Sequence, residues 1–293
     1  MPVHERLYRR LPPEERTGRR FLPGVIASYA HRQTRRGKLY WGMVIVSWIP
    51  ALGWIIALYT MSQGTELIPA GLQDAEHRDR VRALFLGPAD TFFGHQLLLA
   101  TFLAALTACP LISEDLRRHA LALYFSRPTT AFHYVLGKWL AVMSSMLRVF
   151  ALPTLALCIV AFSLVPRGAE FGWPIAARLF AAEAYASAVC ATVALGVSAI
   201  GRSSRYSVVL WFVVSFFTHL ASGLLIVATQ EPEFAFVSFR DDLQLVAARI
   251  LDLPPEAGAV EGPSPWVAFA ISMAWCAGAV VLLASRTRSA ERT

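Results

Sequence analysis

The 293 residues are 56% hydrophobic and only 16% charged, with a mean hydropathy of +0.49. A soluble domain carries about 25% charged residues, so this composition excludes an ordinary water-soluble core and makes lipid the solvent for much of the chain. The net charge of +7 does not point to nucleic acid, because ten of the 27 Lys and Arg fall in the first 38 residues with no basic–aromatic interleaving; positive charge of this kind holds cytoplasmic ends in place.

In chain order, residues 1–38 form a cytoplasmic basic arm. The first apolar segment follows this long polar stretch, so it reads as a retained helix and not as a cleaved signal. Spanning a bilayer takes about 20 mostly apolar residues, and six segments reach that length. They are 39–61, without charge; 91–112, with His95; 137–165, interrupted by Arg148; 174–200, carrying Arg178 and Glu183; 207–229, with His219 near its middle; and 265–285, uncharged. Residues 286–293 form a tail. Nineteen Lys and Arg flank one face of this bundle and six the other, which places both termini in the cytoplasm. The fold expected is an all-α integral membrane protein of six transmembrane helices.

Between Ala181 and Ser198 the fourth segment carries ten small residues, which let helix backbones approach closely in lipid and put it inside the bundle or at an oligomer seam. Ala274 and Gly278 repeat the pattern weakly in the sixth. In the outer loop 230–264, Ser238 followed by Asp241 fits a capping box, and Phe239, Leu243, Val246 and Ile250 then share one helical face. Pro254–Pro255 stops that helix. An amphipathic helix there lies on the outer surface or caps the bundle, with or without a role beyond packing. Cys109, Cys158, Cys190 and Cys276 all sit in apolar stretches without a CxxC pair, so no disulfide framework or metal site is implied.

Catalytic signatures are missing. The sequence has no HExxH, no GxSxG and no GxxxxGK[ST], so any ATP the protein uses must be bound by another chain. The most informative stretch follows the second segment: Ser113-Glu114-Asp115-Leu116-Arg117-Arg118-His119-Ala120-Leu121-Ala122-Leu123-Tyr124-Phe125-Ser126-Arg127-Pro128. It reads as one short helix, with Glu114 and Asp115 at the positive end of its dipole and Leu116, Ala120 and Leu123 on one face. Such a helix suits a bundle that takes a push from a cytoplasmic partner; a charged loop lying on the headgroups fits the residues equally well.

The run from Ile112 to Leu140 resembles the signature region of ABC-2-type transporter permeases. The resemblance lies in Glu114–Asp115, Leu121-Ala122-Leu123, Ser126-Arg127-Pro128, Phe132-His133-Tyr134 and Gly137–Lys138, within a matching layout of basic arm, six helices and long outer loop. The sequence departs at His119–Ala120, where the family often has Gly-Thr. Several expectations follow from the resemblance. The chain is a permease subunit in the cytoplasmic (inner) membrane, paired with a second permease chain as a homodimer or heterodimer. It docks onto two copies of an ATP-binding subunit, which hold ATP and Mg; this chain holds no cofactor. Glu114, Asp115, Leu116, Arg117, Arg118, Leu121, Leu123, Tyr124 and Phe125 fall in the coupling helix. Phe21 to Lys38 match an amphipathic elbow along the inner leaflet, where Val25, Ile26 and Tyr29 beside Arg32, Arg35, Arg36 and Lys38 suit an anionic surface; a disordered arm is the alternative. Export of an unidentified substrate is the expected direction.

Arg148, Glu183 and His219 are the ionisable groups within the apolar segments that call for a role, since charge is costly in lipid. Counting from the segment ends puts Arg148 roughly 16 Å and Glu183 roughly 13 Å deep at helical rise, on antiparallel neighbours. A salt bridge that holds helices together and a substrate path are both open. No catalytic residue is assigned. The rival reading is an ATP-independent assembly subunit or a membrane-embedded enzyme, against which the three groups stand at different depths with no motif joining them.

Overall fold

The computed structural model describes residues 22–35, 37–64, 74–125, 130–164, 168–201, 203–253 and 264–291. The basic arm before Leu22, Ser126-Arg127-Pro128 and Pro254–Pro255 lie outside them. Among the described residues there is no strand. The helices are α1 (Leu22–Arg35), α2 (Lys38–Val46), α3 (Trp48–Gly64), α4 (Asp74–Thr107), α5 (Cys109–Arg117), α6 (Ala120–Phe125), α7 (Ala131–Leu164), α8 (Gly168–Ile200), α9 (Ser204–Phe212), α10 (Thr218–Thr229), α11 (Phe239–Leu251) and α12 (Pro265–Glu291). A π turn over Val213–Phe217 joins α9 to α10, and a 3-10 helix over Pro232–Val237 precedes α11.

Six helical stretches are long and apolar enough to cross a membrane: Lys38–Thr60, Ala89–Arg117, Ala131–Leu164, Gly172–Ile200, Ser204–Thr229 and Pro265–Thr287. Each overlaps one of the six segments read from hydropathy, and the chain is a multi-pass membrane protein. Spans two and four are 67% buried, whereas spans one, five and six are 17–22% buried. The small-residue run of α8 explains its central place. A Cβ on Gly196 would stand 2.5 Å from the Ala279 Cβ, so the fourth and sixth spans meet there only because that position has no side chain. Gly278, in contrast, faces open space.

Buried polar contacts fix the order of the helices. Trp211 Nε1 donates to the Thr101 carbonyl (2.9 Å), Trp139 Nε1 to Thr192 Oγ1 (3.0 Å) and Gln96 Nε2 to the Ser47 carbonyl (3.0 Å). Span two bends at Ala108–Pro110, since proline removes a ladder donor. Ser198 of span four staples the bend. Its hydroxyl accepts from the Ile112 and Ser113 amides (both 3.1 Å) and donates to the Cys109 carbonyl (2.6 Å).

Four elements differ from the sequence reading. The charged stretch from Asp74, read as part of a 62–90 loop, is helical and runs unbroken into span two. The segment 114–125 is two helices. The Cys109–Arg117 helix continues span two, and the chain turns at His119, whose φ of 54° is left-handed, before α6 begins. Glu114 and Asp115 therefore sit in the last turns of a helix and not at its positive end. The α1 helix does not stand apart on a leaflet. Pro23 and Ile26 meet Gly137, and His31 meets Ser145, so α1 runs alongside α7 in the same direction for at least two turns. Finally, α11 lies inside the bundle, against α4, α8 and α12. Its start reaches His219, ten residues before the end of α10, or about 15 Å inward at helical rise. The hairpin of the 3-10 helix and α11 is thus re-entrant.

Candidate functional site

The residues of the 112–140 signature come together at the end of the bundle where α1 packs, the elbow end. Asp115 is the centre. Lys138 Nζ stands 2.8 Å from Asp115 Oδ2, and the Tyr134 hydroxyl donates to the same oxygen at 2.7 Å. Lys138 is 4% exposed; its ammonium also lies 5.8 and 5.5 Å from the Tyr124 and Tyr134 ring centres and 3.4 Å from the Leu111 carbonyl. A cation so far from water is stabilised only when a carboxylate, aromatic faces and carbonyls replace its hydration. Burial and the Asp115 charge push the Tyr124 hydroxyl up to about 12, so it stays neutral.

Gly137 serves the same junction by being small. A Cβ there would stand 2.7 Å from Ile26 Cβ and 2.9 Å from the Pro23 carbonyl. The Gly137–Lys138 pair thus seats α1 on one side of α7 and clamps α5 on the other. Thr130 caps the helix that carries them, accepting from the His133 amide (3.3 Å).

Around this clamp the other signature side chains differ in setting. Glu114 binds Arg117 (2.5 Å) and Arg118 (2.7 Å), whose side chains are 54% and 66% exposed. Leu116 packs at the rim of the core and Leu121 is buried. Leu123 and Phe125 belong to α6 by backbone; their side chains lie outside the described set. A cavity of about 1070 Å³ opens here, lined by Gln33 and Thr34 of α1, Tyr40, Leu111, Glu114 and Ser204 among others. The mixture of hydroxyls, amide, charges and aliphatic carbon suits an amphipathic guest.

Arg148 and Glu183 do not pair. Arg148 donates through Nη1 to His31 Nε2 and to the Tyr40 hydroxyl (3.2 Å). Its level is therefore that of the third residue of span one and of the middle of α7. Glu183, fully buried, accepts from the Thr154 hydroxyl through Oε1, while Oε2 has no partner among the described residues. His219 faces the re-entrant helix. Its Nδ1 stands 2.8 Å from Asp241 Oδ1, and Ser222 donates to Asp241 Oδ2 (3.1 Å).

The re-entrant helix brings groups the sequence did not single out. Asp242 is fully buried with neither carboxylate oxygen hydrogen-bonded among the described residues, and Arg240 donates through Nη2 to the Gly94 carbonyl (3.2 Å) with no partner for Nε among them. Burial first, and then the charge of Asp241, push the Asp242 carboxyl up to about 7; burial pushes Arg240 down. The available signal was the width of the face. Phe239, Asp242, Leu243, Val246, Ala247 and Leu251 are all buried, more of the circumference than a helix lying on a surface hides.

Among the described residues no cluster of His, Cys, Asp and Glu could hold a metal, and Cys109, Cys158, Cys190 and Cys276 are free thiols. No curated protein matches the sequence. The family model described as ABC-2 family transporter protein matches residues 25–287, from α1 through the end of the sixth span. The chain belongs to the ABC-2 family of transporter membrane proteins.

Proposed function

We propose that this chain is the permease subunit of an ABC transporter, moving an amphipathic substrate out across the cytoplasmic membrane. ATP and Mg are held by two copies of a separate ATP-binding subunit, and two permease chains, of one kind or two, form the membrane unit. The observation that carries this is the family match over nearly the whole chain, together with the Asp115–Lys138 clamp where a cytoplasmic push would enter the bundle. Both termini are cytoplasmic in this reading, from the excess of Lys and Arg at the elbow end.

The proposed coupling works as a lever. Arg117 and Arg118, both held by Glu114, present exposed charge at the turn between α5 and α6. Force on them passes into α5 and, through Asp115, into Lys138 and span three. The bend stapled by Ser198 links the same helix to span four. The 1070 Å³ cavity is the proposed entry for cargo.

The test is co-purification of the chain with an ATP-binding subunit expressed alongside it. A triple variant, Glu114→Arg with Arg117→Glu and Arg118→Glu, keeps the local pairs and inverts the surface. Wild-type recovery of the ATPase with loss in the variant supports the reading. Equal recovery moves the docking surface elsewhere, and failure of the folded wild type to bind any ATP-binding subunit defeats it.

A further inference from the structure

The guanidinium of Arg148 is half used. Nη1 supplies both of its contacts, and both partners are neutral. His31 accepts on Nε2, which leaves its Nδ1–H to donate to Ser145 Oγ (3.3 Å), and that hydroxyl donates on to the Ala141 carbonyl (2.9 Å). The chain of bonds fixes the tautomer. Burial, then Arg148, then Arg35, hold the imidazole down at about 4, so it adds no charge near neutrality. Tyr40 receives the second Nη1 proton. Nε and Nη2, the edge that grips a carboxylate or phosphate two-handed, has no partner among the described residues.

Nothing nearby in sequence answers that charge. Residues 22–64 and 131–164, which contain the three elements meeting at Arg148, include no Asp or Glu, while Arg32, Arg35 and Lys38 add cations at the same end. Trp41 marks an interface: its indole donates to the Arg35 carbonyl (3.0 Å), and the Arg35 guanidinium lies 5.1 Å from its ring centre. Leu39, Trp41 and Ile45 are exposed beside this group, on a span that crosses lipid. A cationic fork level with the first residues of span one, flanked by bare apolar side chains, matches a molecule with an anionic head and hydrocarbon tails.

We propose that the open edge of Arg148, with Arg35 and Lys38 around it, is a binding site for the phosphate of an anionic phospholipid in the leaflet facing α1. The headgroup seats between α1, span one and span three, and its acyl chains run along Leu39 and Ile45. The bound lipid supplies the counter-charge the chain lacks and ties α1 to the bundle. The site shares Leu39 and Tyr40 with the rim of the cavity proposed as the cargo entry.

Native mass spectrometry of the full chain in neutral detergent, titrated with phosphatidylglycerol, reads the site. The wild type is expected to retain phosphatidylglycerol over phosphatidylcholine, and Arg148→Gln to lose that retention by about tenfold or more. Arg178→Gln, at the opposite end, is the control and should bind as wild type. Arg148→Lys keeps the charge without the fork and should fall between. Should Arg148→Gln fail to fold, the Arg35→Gln, Lys38→Gln pair, both on exposed side chains, carries the test with a smaller loss. Equal retention of phosphatidylglycerol by wild type and Arg148→Gln, or of the two lipids by wild type, overturns the proposal. So does protection from thermal unfolding by inorganic phosphate alone equal to that by phosphatidylglycerol, since the ligand would then be a soluble anion.

Discussion

Two accessory regions pack on this bundle, and they treat buried charge in opposite ways. At the elbow end, Asp115 and Lys138 leave water together, with Tyr134 and Tyr124 closing around them. At the other end, α11 carries Asp242 into the bundle with neither oxygen partnered among the described residues, beside an Arg240 whose Nε likewise has no partner among them. A charge withdrawn from water is tolerated when paired and is otherwise displaced or neutralised. The first region is therefore a fixed joint. The second is seated conditionally, and its seat is best when Asp242 holds a proton.

Breaking the fixed joint should have the largest effect. Asp115→Ala strands the Lys138 ammonium at 4% exposure, which costs about 3–5 kcal/mol. A large fall in the unfolding midpoint and in recovered monodisperse protein checks it. The Asp115→Asn, Lys138→Met double variant removes both charges and should regain most of the loss; if it is as poor as the single variant, the ionic account is wrong. Gly137→Val comes next, at roughly 1–3 kcal/mol for forcing a side chain into a filled contact. The added atoms meet Ile26 and the Pro23 carbonyl, so amide exchange should rise in α1 and stay unchanged in α11.

The conditional seat is sharpened by pH. A carboxyl whose folded value rises from 3.8 to about 7 binds more protons folded than unfolded. Its contribution to stability is full below about 4 and is lost as pH rises to about 7. Asp241 and Tyr185 interact with it electrostatically. His31, held down at about 4 from 6.5, acts in the opposite sense: stability falls as pH drops from 6.5 toward 4. The informative quantity is thus the difference between wild type and Asp242→Asn. The variant should gain on wild type between pH 5 and pH 8, and parallel unfolding curves would mean that Asp242 is not buried as a lone carboxyl.

The two regions also differ in how far the sequence disclosed them. Hydropathy located every span, because lipid imposes length and apolarity on each helix separately. The clamp was half legible: Glu114–Asp115 and Gly137–Lys138 stood out singly, but that Asp115 meets Lys138 is a tertiary fact across 23 positions. The reading of Arg148 against Glu183 failed for a related reason. Each group finds its partner on another element, His31 and Tyr40 for Arg148 and Thr154 for Glu183, and no count along a single helix reveals that. For α11, Ser238 does cap the helix by accepting from the Asp241 amide (3.1 Å). The carboxylate of Asp241 turns to His219 and does not reach back to the cap. A cap and an apolar face look the same on a surface helix and a re-entrant one.

The smallest expected effect lies at the turn between α5 and α6. His119 holds a φ of 54°, where an L side chain crowds the following carbonyl and glycine does not. His119 is exposed and its ring makes no contact that would offset the strain among the described residues. His119→Gly should then stabilise the joint by up to about 1 kcal/mol, glycine's greater freedom in the unfolded chain taking back part of the relief. His119→Val, branched at Cβ, should destabilise it by about as much or more. Thermal unfolding of the two variants beside wild type checks both signs. If valine were as stable as glycine, the turn would not be left-handed, and α5 and α6 would be the single continuous helix that the sequence alone predicts.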